Sequence, residues 1–435
     1  RDSIHANITV RAEPIDLVLN AHGTWPSNGD SLTARFDIAV NTLKLQALGL
    51  MDRALNFNGN LKGRAAFHPD GYGSFQLNAD SLRMANNERD FQFERFLAKG
   101  LLNTDSTAFE IESDAITLAY HTNLSIDSLL PSTREKLISL FTADTTFIAR
   151  TGKRMDLAIT LPRTEWLTGL LVPQLQAIEL ENFSGTYDSN ADVIDLTIDM
   201  PLLVYDSIRV KELHTTVKAE RAVLNGDITI AHIQRDSLYI DGLEVKARTD
   251  AGALITTLRV QPEDSTEQYL IGVVLRDVEK IRTLHVQENL VLDHIKWEAD
   301  STNLLHFDAE GMRAENFVLR SEDQRLELKT EPDALHVLLG KFRLATLTNL
   351  VSTMDSVPVA TGTIDGDVAI PRSENGLLKA AITINDLTTL GTPIGTLTLN
   401  ADQRNSTTYD GSAKLSNSQN KLDANTRITT GENTA

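Results

Sequence analysis

Residues 194–200 read Ile-Asp-Leu-Thr-Ile-Asp-Met, which alternates apolar and polar side chains with a period of two. A β-strand points successive side chains to opposite faces of its sheet, so this period separates an apolar face from a polar one. The same alternation occurs at 109–112, 156–161, 380–385 and 396–400. Because polar side chains persist along each segment, the pattern favours antiparallel strands with one wet face over the wholly apolar strands of a buried parallel sheet.

Turn dipeptides follow one another at short intervals along the whole chain. With a turn about every 12 residues, we predict about 30 strands, which is too many for one open twisted sheet unless it curls, splits into layers or folds into a trough. Asp-Ser pairs suit Asx-type turns and Asn-Gly or Asp-Gly pairs suit hairpins. The pairs are Asp30-Ser31, Asp80-Ser81, Asp127-Ser128, Asp206-Ser207, Asp236-Ser237, Asp70-Gly71, Asn225-Gly226 and Asp365-Gly366.

A sequence repeat links the two ends of the chain. Residues 59–67 and 362–370 share the pattern Gly-x-apolar-x-Gly-x-apolar-x-apolar. Each copy is followed by a second alternating segment, which ends in Asp80-Ser81-Leu82 or in Asn385-Asp386-Leu387. We infer that one structural unit is used more than once.

Short amphipathic helices are predicted at 132–141, after the capping box Ser132-x-x-Glu135, and at 163–172, 347–354 and 48–55. Their apolar stripes are narrow, so each helix should lie on the sheet rather than build a core of its own. The predicted segments are β-repeats with a short helix near 45–55 in 1–131, a helix-containing insertion at 132–175, β-repeats at 176–345, a short helix and a paired-glycine repeat at 346–402, and polar terminal strands at 403–435.

Composition excludes several classes of function. The 435 residues include 41 Lys+Arg, 60 Asp+Glu and no Cys, for a formal net charge of −19. This acidity, with no basic patch evident in the sequence, argues against nucleic acid as a partner and against salt-dependent binding to anionic membranes. The absence of Cys excludes thiolate metal sites, iron–sulfur clusters and Cys nucleophiles.

Motifs for catalysis or for metal binding are also missing from the sequence. The ten His residues are scattered without ligand spacing, and no phosphate-loop, esterase or zinc-protease motif occurs. We therefore predict no catalytic residue, no metal, no cofactor and no enzymatic activity. The chain starts at Arg1 without an initiator Met and contains no apolar window of about 18 residues, so we interpret it as an internal fragment without a membrane span.

The apolar positions of the predicted strands are the candidate binding residues. Most are medium-sized aliphatic side chains, which fit a trough open to a ligand and also fit a filled sandwich or solenoid core. The candidate lining positions are Phe109, Ile111, Ile194, Leu196, Ile198, Met200, Leu238, Ile240, Val368, Ile370, Ile382, Ile384, Leu397 and Leu399.

Residues 342–402 resemble the TamB branch of the AsmA-like proteins, the large envelope proteins of diderm bacteria. They contain, in order, the helix at 347–354, the paired-glycine strand at 362–370, the Asn385-Asp386-Leu387 strand end and a second paired-glycine strand at 391–402. Residues 45–84 match this unit more loosely. Residues 105–331 share with it only the general alternation of apolar and polar residues. The frequent Asp-Ser turns are similar to those of the versions found in Bacteroidota.

The resemblance implies an all-β, elongated sheet folded into a taco-like hydrophobic groove. It implies a periplasmic protein, anchored in the inner membrane by a segment outside these residues, with an Omp85-family outer-membrane barrel (TamA-like) as partner. The implied role is outer-membrane biogenesis, by carrying phospholipid or another acyl-chain lipid along the groove or by assisting protein assembly and secretion. An extracellular β-solenoid adhesin or stalk with a filled core is the alternative, and an enzyme acting on polysaccharide ranks third.

Overall fold

The protein is all-β and antiparallel, as the alternation predicts. The computed structural model describes residues 2–25, 31–103, 105–123, 152–220, 223–236, 238–262, 266–278, 281–308, 311–349, 352–353, 359–372, 377–405, 407–417 and 421–429. The chain divides into two compact units: unit 1 comprises Arg1–Lys136 and Phe147–Ala222, and unit 2 comprises Leu137–Thr146 and Val223–Ala435. The division at 222/223 falls inside the segment 176–345, which the sequence does not subdivide.

Unit 1 is an antiparallel meander in which each described strand pairs with the next strand in sequence. Between β9 and β10 lies one π-helical turn, Leu167–Leu171. The strands are β1 (Asp2–Ala12), β2 (Ile15–Trp25), β3 (Leu32–Lys44), β4 (Asn56–Phe67), β5 (Gly73–Ala85), β6 (Asp90–Leu102), β7 (Thr107–Ser113), β8 (Thr117–Thr122), β9 (Arg154–Leu161), β10 (Leu175–Asp188), β11 (Val193–Tyr205) and β12 (Ile208–Glu220).

Unit 2 contains strands of more varied length and, among its described residues, one α-helix, Ala345–Thr348, which follows β24. The strands are β13 (Val223–Arg235), β14 (Leu238–Asp250), β15 (Ala253–Val260), β16 (Tyr269–Val278), β17 (Ile281–Val286), β18 (Leu290–Leu292), β19 (Ile295–Ala299), β20 (Leu304–Asp308), β21 (Gly311–Glu315), β22 (Phe317–Ser321), β23 (Gln324–Thr330), β24 (Ala334–Arg343), β25 (Ser352–Thr353), β26 (Ala360–Pro371), β27 (Lys379–Thr389), β28 (Thr392–Gln403), β29 (Thr408–Ser416) and β30 (Lys421–Thr429).

The sheet of unit 2 forks at β16. One stretch of β16 pairs with β17, which leads to β20 and β21, and another stretch pairs with β18, which leads to β19, β22 and the following strands. Both branches contribute side chains to one buried core, which includes Leu305 from the first branch and Trp297 and Phe342 from the second. A closed hydrophobic core therefore fills this part of unit 2.

The predicted helices have different outcomes. The segment 163–172 is helical over 165–171, including the π-helical turn, and it lies on the sheet as expected, with Leu170 buried in a cluster that includes Phe91 and Phe93. The segment 347–354 overlaps the short α-helix only at Leu347 and Thr348, and its residues Ser352 and Thr353 form β25, so the helix prediction is wrong there. Positions 350, 351 and 354 lie outside the described residues. The helix at 132–141 also lies outside them.

The helix predicted at 48–55 is wrong. Residues 45–50 form consecutive turns that join β3 to β4. Leu55 is nevertheless buried and Met51 packs against the same cluster as Leu170. The apolar spacing of this segment thus reflects side chains that anchor a turn to the sheet, rather than one face of a helix.

Three predicted turns lie inside strands instead. Asp80-Ser81 falls within β5, Asn225-Gly226 within β13 and Asp365-Gly366 within β26, so these predictions are wrong. Alternation continues on both sides of each pair, and cross-strand pairing overrides the local turn preference of the dipeptide. Asp70-Gly71 and Asp206-Ser207 do form turns between strands.

The sequence repeat corresponds to a repeated β-bulge. The first glycine of each copy has a positive φ, +150° at Gly59 and +139° at Gly362, and lies where the register shifts against the next strand. The facing strand carries a second positive-φ residue, Ser81 (φ 63°) or Asp386 (φ 51°). A bulge bends a strand and increases its twist, so each copy marks a bend in the sheet.

Gly362→Ala is expected to lower the free energy of unfolding by about 1–3 kcal/mol, because the new Cβ would require a disfavoured backbone conformation. That Cβ would also lie 2.8 Å from the backbone oxygen of Asn385. Gly340→Ala is the control, since its Cβ would meet only the Cβ of Arg325, at 3.8 Å. Urea denaturation followed by circular dichroism measures both, and equal losses would contradict the role of the bulge.

Candidate binding face of the sheet

The predicted positions of β7 and β11 share one face of unit 1. Phe109 and Leu196 belong to one row of directly opposed residues, and Ile111 and Ile198 belong to the next. The first row is Ile4, Gly23, Ala34, Ala65, Phe75, Gly100, Phe109, Tyr120, Leu157, Gly185, Leu196 and Val217. The second row is Ala6, Ala21, Phe36, Gly63, Leu77, Ala98, Ile111, Leu118, Ile159, Phe183, Ile198 and Thr215.

These two rows form what we call the apolar face of unit 1. Every residue of the two rows is glycine, aliphatic or aromatic except Thr215, which lies at the end of the second row. Most of the large side chains, including Leu196 and Ile198, keep intermediate exposure, and Ile4 and Phe75 are 45% and 38% exposed. By contrast, Trp297 and Leu335 in the core of unit 2 are 2% and 0% exposed. The apolar face is thus less covered than a closed core.

Aromatic rings cover two of the glycines of this face. A Cβ on Gly63 would lie 2.3 Å from Cζ of Phe36, and one on Gly100 would lie 2.0 Å from Cε1 of Phe75. Each glycine is directly opposed to the aromatic residue that covers it. Glycine is required here because the neighbouring ring occupies the space of a side chain. Gly63, the second glycine of the first repeat copy, therefore has a packing role that differs from the bulge role of Gly59.

The remaining predicted positions of β11 lie on the same side of that strand. Ile194 is opposed by Tyr187 and Ala219 and is 9% exposed, whereas Met200 is opposed by Leu213 and is half-buried. All four predicted residues of β11 therefore point to the apolar side, which the period of two predicts.

The six predicted positions of β26 to β28 also share a face, in unit 2. Ile384 and Leu397 are directly opposed, as are Ile382 and Leu399. Val368 is opposed by Val337, and Ile370, which is 37% exposed, is opposed by Leu335.

Ile382 and Ile384 pack against the buried core that contains Trp297 and Phe342. Both residues are half-buried beside this core, and their place in the lining of an open groove stays a prediction.

The candidate positions of β14 precede a change of phase in that strand. Ile240 is directly opposed to Ile233 on β13, and the backbone of Leu238 is opposed to Arg235. Gly242, with φ +65°, interrupts the alternation before Leu243.

Another apolar row, which the sequence analysis does not predict, crosses β13 to β16. It consists of Ile228, Val245, Leu258 and Ile271. The signal is present in the sequence, because the apolar phase of β14 shifts by one residue at Gly242.

No family model and no curated protein matches this chain. Its function is therefore inferred from the chemistry of its faces. Among the residues that the structure describes, no group of three or more His, Asp or Glu side chains is placed to hold a metal ion. Over the same residues, no helix has the length and hydropathy to cross a membrane.

The polar side of the sheet carries cross-strand ion pairs. Asp199 on β11 lies 3.0 Å from Nδ1 of His214, and this hydrogen bond lowers the pKa of Asp199. In unit 2 Asp410 accepts hydrogen bonds from Arg427 at 2.6 Å and Arg404 at 2.8 Å, and both guanidinium groups hold its pKa well below the usual range. Such exposed ion pairs add little to the free energy of unfolding. Their charged groups nevertheless favour contact of this side of the sheet with water.

A buried polar cluster holds the short α-helix of unit 2 in place. The Tyr269 hydroxyl donates to the carbonyl oxygen of Thr346 at 2.9 Å. The Asn349 amide donates to both carboxylate oxygens of Asp293, at 3.0 and 3.1 Å. Burial raises the pKa of both Tyr269 and Asp293. We assign this cluster a structural role, since it links the loop after β18 to the helix.

Asp293→Asn is expected to stabilise the protein at neutral pH and to have less effect in acid. A raised native pKa means that the folded state binds more protons than the unfolded state, so the free energy of unfolding falls as pH rises from the ordinary value of 3.8 through the raised pKa. Asn has no carboxyl group to ionise, so the variant avoids this fall in the free energy of unfolding. Asn also tolerates the φ of 54° at this position. Urea denaturation between pH 4 and pH 7, a window of about three units chosen around carboxyl titration, tests this.

The control is Asp206→Asn, at an exposed turn with the same φ of 54°. The difference in unfolding free energy between Asp293→Asn and the parent should grow with pH, and the corresponding difference for Asp206→Asn should not. A difference for Asp293→Asn that shrinks as pH rises would contradict the assignment.

Proposed function

We propose that unit 1 binds the acyl chains of lipid on its apolar face. The observation that carries this proposal is the pair of apolar rows that cross β1 to β12 with partly exposed side chains. Contiguous exposed apolar surface on a soluble domain typically marks a binding site, because covering it releases about 25 cal/mol per Å². Aliphatic rows without converging polar groups suit a long hydrocarbon chain better than a small polar substrate.

The dimensions of the rows support this class of ligand. Neighbouring strands lie about 4.8 Å apart, so twelve paired strands give a row on the order of 50 Å along the hydrogen-bonding direction. That exceeds the hydrocarbon thickness of a bilayer, about 30 Å. An acyl chain bound on this face can therefore move from strand to strand without leaving apolar surface.

The wider setting of the proposal rests on the resemblance of residues 342–402 to the TamB branch of the AsmA-like proteins. We propose that the protein works in the periplasm in outer-membrane biogenesis, as part of a bridge that carries phospholipid or assists protein assembly. The proposed inner-membrane anchor lies outside these residues, and the proposed partner is an Omp85-family barrel. A taco-like closure of the sheet around the lipid is part of this proposal.

The buried core of unit 2 favours a second candidate, an extracellular stalk or adhesin. Residues such as Leu335 and Trp297 are as covered as those of a filled solenoid, which needs no ligand. The two candidates differ in what the apolar face of unit 1 contacts, since a stalk requires only that the sheet be stable.

Native mass spectrometry of the 435-residue chain, purified from a diderm host, separates the two candidates. Phospholipid adducts that survive purification and are identified after solvent extraction support the lipid-binding role. A single ligand-free mass, with no lipid in the extract, favours the stalk.

A further inference from the structure

The polar side of unit 1 carries a row of basic side chains, although the chain is acidic. His5, His22, Arg35 and Arg64 are successive cross-strand neighbours on β1 to β4. Directly opposed residues have Cβ atoms about 5 Å apart, and like charges at that separation destabilise a sheet. Arg35 and Arg64 bring two permanent charges to such a position. The expectation that no basic patch exists is therefore wrong.

Carboxylates do not neutralise this arginine pair. Arg64 donates to the neutral side-chain oxygen of Gln76 at 2.9 Å. Arg35 forms no ion pair within the residues that the structure describes. Asp37, the next position on this side of β3, is directly opposed to Lys62. Both guanidinium groups are thus left with donors for an external acceptor.

A groove of about 870 Å³ lies over this pair and is lined by both arginines. Glu110 also lines it, but its carboxylate is engaged by Lys99 at 3.4 Å and by His121 at 3.7 Å. A second groove, of about 600 Å³, shares Arg35 with the first. The space beside the two guanidinium groups is therefore large enough for a ligand and carries a local excess of positive charge.

We propose that this groove binds a phosphate-bearing anion between Arg35 and Arg64. Guanidinium groups donate paired hydrogen bonds to phosphate oxygens, and an anion placed between two of them replaces repulsion by charge-assisted hydrogen bonds. A phosphate or diphosphate group has the required oxygens, whether it is free or is part of a lipid headgroup. Both arginines lie on the polar side of the sheet, although Phe75 and four small residues of the first apolar row also line the groove.

Isothermal titration of the full chain with inorganic pyrophosphate tests the site. Arg35→Gln/Arg64→Gln should weaken binding by at least about tenfold, because both charge-assisted contacts are lost. Lys218→Gln is the matched control, since Lys218 lies on the polar side of β12 and pairs with Asp195 at 3.7 Å, and it should bind like the parent. The absence of pyrophosphate binding by the parent, or equal affinity in the double variant, overturns the proposal.

Thermal melting provides an independent readout. Without ligand, the double variant should melt at or above the temperature of the parent, because the opposed charges are gone. Pyrophosphate should raise the melting temperature of the parent but not that of the double variant. A ligand-free melting temperature well below that of the parent would contradict the like-charge argument.

Vesicles distinguish the two sources of the phosphate group. Binding to phosphatidic acid vesicles that pyrophosphate displaces, without binding to phosphatidylcholine vesicles, identifies a headgroup ligand. Binding to pyrophosphate without binding to either vesicle identifies a free phosphate ligand. Both results support the site, whereas vesicle binding that is unchanged in Arg35→Gln/Arg64→Gln counts against it.

Discussion

Leu196→Arg is expected to remove lipid contact from the centre of the apolar face while the chain stays folded. Leu196 lies between Gly185 and Val217 in its row and is half-buried. Its side chain lies over Gly185, where an added Cβ would be 3.7 Å from a Leu196 methyl carbon. An Arg stem can follow the same path and carry its guanidinium to water, at a cost of about 1 kcal/mol. The charge then blocks an acyl chain from crossing this strand.

Photocrosslinking with a phospholipid that carries a diazirine in its acyl chain measures this effect. Lipid adducts mapped to peptides of β10 to β12 should fall by about tenfold in Leu196→Arg, since a desolvated charge opposes hydrocarbon contact. Thr197→Arg is the control, because Thr197 is the next residue on β11 and points to the polar side, between Ser184 and Thr216. Its adducts should match the parent.

Two results would contradict the lipid-binding role of unit 1. One is gross unfolding of Leu196→Arg, which means that the apolar face is a closed core, where an unpaired buried charge costs about 3–5 kcal/mol. The other is a parent chain that forms no lipid adduct. Circular dichroism of both variants separates lost contact from lost structure.

Phe342→Ala is expected to destabilise unit 2 by about 3–5 kcal/mol, because it leaves a cavity in a closed core. Phe342 is 2% exposed, and its ring centroid lies 5.5 Å from that of Trp297, which is also 2% exposed. The indole would lose its aromatic neighbour, so its fluorescence emission should shift to the red. Urea denaturation gives the free energy of unfolding.

Phe307→Ala is the matched control for this cavity. Phe307 belongs to the same unit but is 37% exposed, so its removal should cost less than about 1 kcal/mol. Equal losses for the two variants would mean that the cluster around Trp297 is not the stabilising core of this region.

Local alternation predicts which side of a strand each residue occupies, and it does so correctly for β11 and for β26 to β28. The period of two is a property of the backbone itself, so Ile194 and Ile384 need no knowledge of their neighbours. Its phase does not continue through β14, because the left-handed Gly242 separates Ile240 from the apolar positions that start at Leu243. A glycine within an alternating segment is the warning in the sequence.

Long-range pairing is what the sequence does not predict. Ile382 and Ile384 pack against the core that contains Trp297, yet their local sequence is no different from that of residues on the apolar face of unit 1. The row of basic side chains also results from pairing between strands. Arg35 and Arg64 are opposed only because β3 and β4 adopt one register, and a net charge of −19 gives no sign of it. Register depends on contacts between strands, which composition and spacing do not contain.

The connectivity of unit 1 constrains how such a sheet can change in length. Each of its described strands pairs only with its neighbours in sequence. Duplicating or deleting one hairpin therefore leaves the direction of every other strand unchanged and alters the row by about 9.6 Å. Gain or loss of a single strand would instead reverse the direction of all that follow. Sheets of this connectivity can thus change in length by steps of one hairpin, without a change in the side chains of either face.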